Sequence, residues 1–284
     1  MKRKSKSVFN VILLIILVLY VLILGTMVAW VFLNSFKGDF DFDDYPLRLP
    51  AKWLFSNYAD AMKNLVLRRG AITYDFYGMM LTSVAYSVGC ATVSVGVTAI
   101  TAYTCSQFKY KFSSLIYGVV LFTMIFPIIG SGPSEMQIVS KLGLKNTMYG
   151  MYILKANFLG MYFLVFYAGF NGMSKTYSEA AKIDGANNYT IMFRIYFPMV
   201  MGTFFTIWLL YFINYWNDYQ TPLLYLPDRP TIAYGLFTFT SNGGYSTPLK
   251  FCACLIITLP VFILFMIFKD KLMGKISIAG GEKG

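Results

Sequence analysis

In this 284-residue chain the residue types that do bond-breaking chemistry are thin on the ground. Histidine, the commonest general base and metal ligand, is absent. The four cysteines, Cys90, Cys105, Cys252 and Cys254, each lie within or beside an apolar run. Cys252-x-Cys254 lacks the two-residue gap usual for zinc, so all four read as small apolar fillers. No Gly-x-x-x-x-Gly-Lys-[Ser/Thr] phosphate loop occurs. What remains is the chemistry of contact. Asn214, Trp216 and Asn217 supply an aromatic face and amide groups suited to contact with a polar solute, and Asp218 adds an acid. The same residues suit anchoring at a membrane interface. Lys155 is a lone charge in an apolar stretch. Charges at membrane depth point to function by default, although a long stem can also reach the interface. If Lys155 faces a pathway, it favours an acidic solute.

A second constellation is mechanical. The stretch from Ser174 to Pro198 reads Ser-Lys-Thr-Tyr-Ser-Glu-Ala-Ala-Lys-Ile-Asp-Gly-Ala-Asn-Asn-Tyr-Thr-Ile-Met-Phe-Arg-Ile-Tyr-Phe-Pro. Ser178 is expected to cap a helix whose positive start Glu179 complements. Ala180 and Ala181 favour helix and leave a low-relief face for a partner to approach. Gly185 permits a tight turn. A second amphipathic helix then leads to Pro198. Such a short helix, turned back into the molecule, transmits force from a soluble partner; the plainer alternative is a solvated loop helix.

The elements around these residues are apolar. The chain is 57% hydrophobic and 13% charged, against about 25% charged in an ordinary soluble domain. Mean hydropathy is +0.58. A membrane-spanning helix needs about 20 apolar residues. Runs that qualify lie between Lys6 and Lys37, Asp75 and Lys109, Lys111 and Glu135, about Tyr149 and Ala168, Arg194 and Asp218, and Lys250 and Lys269. The first is too long for a signal-peptide core and has no small-x-small cleavage site, so it is expected to be an uncleaved span. Pro127, followed by Gly130-Ser-Gly-Pro133, marks either a break in the third span or its outer end plus a turn.

Net charge is +11, but no basic patch recurs at helical spacing with interleaved aromatics, so nucleic acid is not an expected partner. The basic residues fall instead at span ends: Lys2, Arg3, Lys4 and Lys6; Lys109 and Lys111; Lys175, Lys182 and Arg194; Lys269, Lys271, Lys275 and Lys283. The positive-inside rule then gives six spans with both termini cytoplasmic. The expected organisation is a cytoplasmic tail over 1–7, a first span over 8–36 and an extracytoplasmic loop over 37–75. A five-span core over 76–268 follows, with a cytoplasmic loop at 171–197, and then a tail over 269–284. The loop before the last span holds Ser241-Asn242-Gly243-Gly244-Tyr245, a glycine-rich tip or an ordinary surface turn.

Glu179-Ala180-Ala181, then Gly185, then Ile195-Tyr-Phe-Pro198 resembles the signature of binding-protein-dependent ABC importer permeases: Glu-Ala-Ala, three residues, Gly, nine residues, Ile-x-Leu-Pro. Every spacing fits, and Phe197 replaces Leu. Asp184 and Ala186 complete the fuller form typical of the carbohydrate-uptake branch. Asn214-Tyr-Trp-Asn217 with Pro222-Leu-Leu-Tyr-Leu226, and Thr231 through Phe239, are similar to further stretches of the family. The tail to Lys283-Gly284 resembles that of the maltose-type second permease, departing at Glu282.

The resemblance implies an all-α, polytopic bacterial cytoplasmic-membrane protein with a MetI-like permease core. It implies a heterodimer with a second permease, two copies of an ATPase subunit, an extracytoplasmic binding protein and a carbohydrate solute, in contact with membrane lipid. ATP and Mg2+ would belong to the ATPase subunits, with no cofactor and no catalysis in this chain. Glu179, Ala180, Ala181, Asp184, Gly185, Ala186, Ile195 and Pro198 would form the coupling element. Asn242, Gly243, Gly244 and Tyr245 would reach toward the binding protein. The competing expectation is an ion-coupled secondary transporter for a small polar solute. It is weakened because no acid lies deep in a span.

Overall fold

The computed structural model describes residues 8–108, 110–126 and 130–273. Pro127, Lys109, the amino-terminal basic cluster and the tail through Lys275, Glu282 and Gly284 lie outside the described residues. In chain order the helices begin with α1 (Val8–Ser35), α2 (Asp39–Asp44) and α3 (Ser56–Asn64). A two-stranded hairpin follows, β1 (Leu67–Arg69) and β2 (Ile72–Tyr74), then α4 (Phe76–Gln107), α5 (Lys111–Ile125), α6 (Gly132–Lys141), α7 (Met148–Leu154) and α8 (Met161–Asn171). Next come α9 (Thr176–Ile183), α10 (Asn188–Ile191), a π-helical turn (Met192–Tyr196) and α11 (Phe197–Asn217). The series closes with α12 (Gln220–Tyr225), α13 (Ile232–Ser241) and α14 (Thr247–Met273). The hairpin, with Leu67 opposite Tyr74, is the small exception to the all-α expectation.

Four stretches are long and apolar enough to cross a membrane: Phe9–Ser35, Phe76–Gln107, Asn188–Asn217 and Thr247–Lys269. Two shorter apolar helices, Lys111–Ile125 and Met161–Asn171, fall where the third and fourth spans were expected. α1 is apolar all round and exposed along nearly its whole length, the pattern of a helix solvated by lipid rather than by protein.

The stretch expected as a fourth span, about Tyr149 to Ala168, is not an uninterrupted helix. α7 ends at Leu154, and α8 starts only at Met161, after Gly160 at φ 133°. A glycine alone adopts that backbone cheaply. The side chain of Asn157 also accepts the Leu159 amide at 2.9 Å, a local turn that competes with helix. Lys155 therefore sits at a helix break, not inside a helix.

The chain divides into two compact units. One comprises residues up to 76 together with 235–259. There the end of α1 is tied down by side chains. Asn57 Nδ2 donates to the carbonyls of Ser35 (2.9 Å) and Lys37 (2.8 Å), and Tyr58 shares a hydrogen bond with Ser35 Oγ. Phe36 is surrounded by Trp53, Phe55 and Tyr58 at 5.1–5.3 Å between ring centres.

The other unit comprises 77–234 and the chain from 260 onward. Its core gathers Val95, Ala99, Ala102 and Tyr103 of α4 with Phe163, Phe166 and Phe170 of α8, and adds Ile191, Tyr196 and Ile207. Small residues along α4 let the aromatic helices approach closely, the device by which membrane helices pack when lipid offers no hydrophobic contrast. Pro198 enters α11 directly after the π-helical turn, in which the Phe197 amide bonds to Met192 O. A proline supplies no amide to the ladder, and one wider turn accommodates the loss.

Candidate functional site

The expected mechanical segment folds as two short helices joined by a sharp turn. α9 begins one turn earlier than Ser178 implied: Lys175 is its N-cap, and the Lys175 carbonyl accepts the Glu179 amide at 3.0 Å. Ser178 lies inside the helix, where its hydroxyl donates back to Lys175 O (2.8 Å). The serine that does serve the entrance is Ser174, whose Oγ accepts the Thr176 amide. Glu179 falls in the first turn, where the helix dipole favours a carboxylate.

The exit is a Schellman turn. Gly185, at φ 81°, donates its amide to Lys182 O (3.0 Å), and Ala186 donates to Ala181 O (2.9 Å). Asn187 then caps α10 by accepting the Thr190 amide at 2.8 Å. Asn187 was not singled out from sequence, although an asparagine just ahead of an apolar run is a recognised helix-start signal.

The two alanines part company. Ala180 is exposed beside Glu179, whereas Ala181 is 9% exposed and belongs to this chain's own core, with Tyr196 and Phe170. The low-relief outer face is therefore carried by Ala180 alone, flanked by exposed Glu179, Asp184 and Gly185. Ala186 and Ile195 are half-buried, and Pro198 is exposed.

Lys155 and Asp218 were expected as separate candidates, and the structure brings them together. Lys155 Nζ stands 3.4 Å from Asp218 Oδ2, donates to Thr221 Oγ1 at 3.1 Å, and lies 5.4 Å from the centre of the Tyr215 ring. Asp218 Oδ2 also accepts the Tyr86 hydroxyl (2.9 Å), and Oδ1 accepts the Thr221 amide (2.9 Å). Burial alone would raise the Asp218 carboxyl. The hydrogen bonds from Thr221, the Lys155 charge and the Tyr86 hydroxyl outweigh it and hold the group below the usual carboxylate range. Ser94 completes the cluster: its hydroxyl donates to Lys155 O at 2.7 Å and meets Tyr215 Oη at 2.8 Å. Thr98 reaches Asn157 O at 3.4 Å. Thus α4 hydroxyls satisfy carbonyls that the break after α7 leaves without helical partners. Ser94, Thr98, Tyr86 and Thr221 carried no signal in sequence, because each is an ordinary residue until the fold aligns it.

Of the amide–aromatic group, Asn214 and Asn217 are exposed and line an open cleft of about 470 Å³ with Leu210, Ile213 and Asp218. Trp216 points the other way; it is 2% exposed, its ring stacked on Phe212 at 5.6 Å. The loop Asn242–Tyr245 is anchored at its end. The Tyr245 ring stacks on Phe239 at 4.2 Å and its hydroxyl points to Asn64 O at 3.4 Å, while Asn242 Oδ1 accepts the Gly244 amide at 2.9 Å. Outside the spans, burial together with the neighbouring Glu135 pushes the Tyr225 hydroxyl, which donates to Glu135 at 3.0 Å, up to about 12.

Long apolar helices, a helix break closed by an ion pair and an exposed two-helix turn describe a multi-pass membrane permease. Residues 84–277 match the family described as binding-protein-dependent transport system inner membrane component, and the chain belongs to it. Among individual relatives, the diacetylchitobiose uptake system permease protein NgcG of Streptomyces coelicolor is 26% identical over 270 residues, covering 92% of this chain and 85% of that protein. The trehalose/maltose transport system permease protein MalG of Thermococcus litoralis is 26% identical over 261 residues, 90% of each chain. The fold is shared with a chain of a bacterial ABC transporter involved in the import of the acidic polysaccharide alginate, at a TM-score of 0.76 and 21% identity over 95% of this chain and 98% of that one. These relatives are transport permeases rather than enzymes. This protein is accordingly an inner-membrane permease subunit of an ABC importer.

Proposed function

We propose that the chain forms half of the pathway of an ATP-driven carbohydrate importer, crossing the membrane six times with both termini in the cytoplasm. A second permease completes the pathway, two ATPase subunits hydrolyse ATP with Mg2+, and an extracytoplasmic binding protein delivers the solute. The chain itself performs no catalysis and holds no cofactor. The observation that carries this reading is α9: a short helix with Glu179, Ala180, Asp184 and Gly185 exposed and Ala181 set in the core. That is the form of a docking element which moves the body it stands on. Glu179 makes polar contact with the ATPase, Ala180 permits close approach, and Gly185 with Ala186 fixes the turn. Ile195 and Pro198 carry the motion into α11.

The names of the relatives, which include diacetylchitobiose and trehalose/maltose systems, support a sugar or oligosaccharide as solute. Asn214 and Asn217 are the amide groups that offer it hydrogen bonds, with Asp218 at the edge of their cleft. Trp216 supports the wall rather than meeting the solute. Asn242–Tyr245 faces the binding protein with a pinned Tyr245.

The test is a gentle-detergent pull-down of the tagged chain from its native membrane, with mass spectrometry of what co-elutes. Recovery of a second permease and an ATPase supports the importer. Recovery of the chain alone, in a preparation that still transports on an ion gradient after reconstitution, refutes it.

A further inference from the structure

α8 and α11 flank α9 in sequence, and they run side by side away from it. Three ring contacts mark their course. Phe170 meets Phe197 at 5.9 Å next to α9, Phe166 meets Phe204 at 6.3 Å, and Tyr162 meets Tyr211 at 4.9 Å. Beyond the end of α8, Lys155 reaches the Tyr215 ring and Asp218. The 21 residues of α11 span about 31 Å at 1.5 Å per residue. At the α9 end the pair is keyed by Ala181, Tyr196 and Phe170 in one buried cluster. At the far end the chain between α7 and α8 is not helical, so no helical ladder stiffens it, and the Lys155 side chain joins it to the end of α11.

We propose that Lys155 and Asp218 are positioning residues: their ion pair latches the broken fourth span to the end of α11, so that α8 and α11 carry a displacement of α9 to the solute side as one body. The inference rests on the importer reading. A hydrophobic contact in the same place would add attraction without a preferred direction. The pair is directional and multiply tied. Asp218 is fixed by the Tyr86 hydroxyl and the Thr221 amide, and Lys155 by the Thr221 hydroxyl and by Ser94 on its carbonyl. With side chains 22% and 15% exposed, both charges are largely withdrawn from solvent, so their attraction is only partly screened. The break supplies the reason for the latch: a continuous helix would need none.

The experiment uses the complex recovered with the ATPase. A fluorophore is placed at the exposed Gln220 as Gln220→Cys, with the half-buried Cys254 changed to Ser. The signal is read without nucleotide and with ATP and vanadate, so no solute is required. The unmodified latch should give an ATP-dependent change at Gln220. Lys155→Met should still assemble with the ATPase yet lose most of that change. Lys155→Arg and the exchanged pair Lys155→Asp with Asp218→Lys should recover it. An undiminished response in Lys155→Met overturns the proposal, as does an exchanged pair that assembles but stays silent. Failure of both Lys155→Met and the exchanged pair to assemble also overturns it, because the pair then serves folding alone. Absence of any ATPase from the wild-type complex would instead remove the importer reading itself, and the inference with it.

Discussion

α9 and the Lys155–Asp218 cluster sit at opposite ends of the same two helices and are built by opposite means. α9 is specified by neighbours in sequence: Ser174 at its entrance, Gly185 at its exit, Asn187 two residues later, all acting on backbone within a few positions. Glu179, Ala180, Asp184 and Gly185 are exposed on it. Apart from the Thr221 amide on Asp218, the cluster's hydrogen bonds join residues 61–132 apart, drawn from α4, the break after α7, the end of α11 and α12. Its members face one another and leave little for a ligand. On the proposed reading, the difference teaches that a docking element can be written locally, since a partner completes it, whereas a latch within one chain has to be completed by distant parts of that chain.

The largest expected effect strikes α9. Gly185→Val places a β-branched residue at φ 81°, a conformation that costs of the order of 1–3 kcal/mol or more and that the Schellman turn cannot surrender. ATPase recovery in the pull-down should collapse while the protein still reaches the membrane. Undiminished recovery of the ATPase would break the contrast, by showing that the turn is not needed for docking.

Next come the cluster's charges. Asp218→Asn or Lys155→Met alone strands a partly buried partner, and charge-assisted hydrogen bonds are worth about 1.5–3 kcal/mol, less here because both groups keep some exposure. Each should lower the unfolding temperature in detergent, and the double substitution should cost less than the sum. Strict additivity would show that the two charges do not hold each other.

The alanines sharpen the comparison directly. Ala181→Leu overfills a core position and should cost about 1–3 kcal/mol of stability. Ala180→Leu should stay within about 0.5 kcal/mol in the isolated chain yet reduce ATPase recovery. Equal effects of the two on stability would erase the distinction between an inner and an outer face of α9.

The smallest effects belong to the hydroxyls that close the helix break. Ser94→Ala removes the 2.7 Å donor to Lys155 O and should cost about 1 kcal/mol. Thr98→Ala should cost less, because its contact to Asn157 O is 3.4 Å and its hydroxyl also bonds Ser94 O within α4. Unfolding temperatures of the two variants, measured side by side, check the order.

The sequence alone determined the apolar stretches, the two-helix form of the 174–198 segment and the family, because each depends on composition or on spacing within one segment. The helix at Glu179 and Ala180 and the turn at Gly185 were legible for that reason, since propensity, dipole and left-handed backbone are local properties. Even there the helix start was misplaced onto Ser178, because a serine inside a first turn looks like a cap until the backbone hydrogen bonds are known. Only the tertiary structure decided the break at 155–160, the burial of Trp216 and Ala181, and the partner of Lys155. A helix yields to a break when neighbouring elements can satisfy its freed carbonyls, and here those donors come from α4, about 60 residues earlier. A lone charge in an apolar run announces only that something must answer it. Which residue answers is a matter of which helices pack, and no spacing within the run records it.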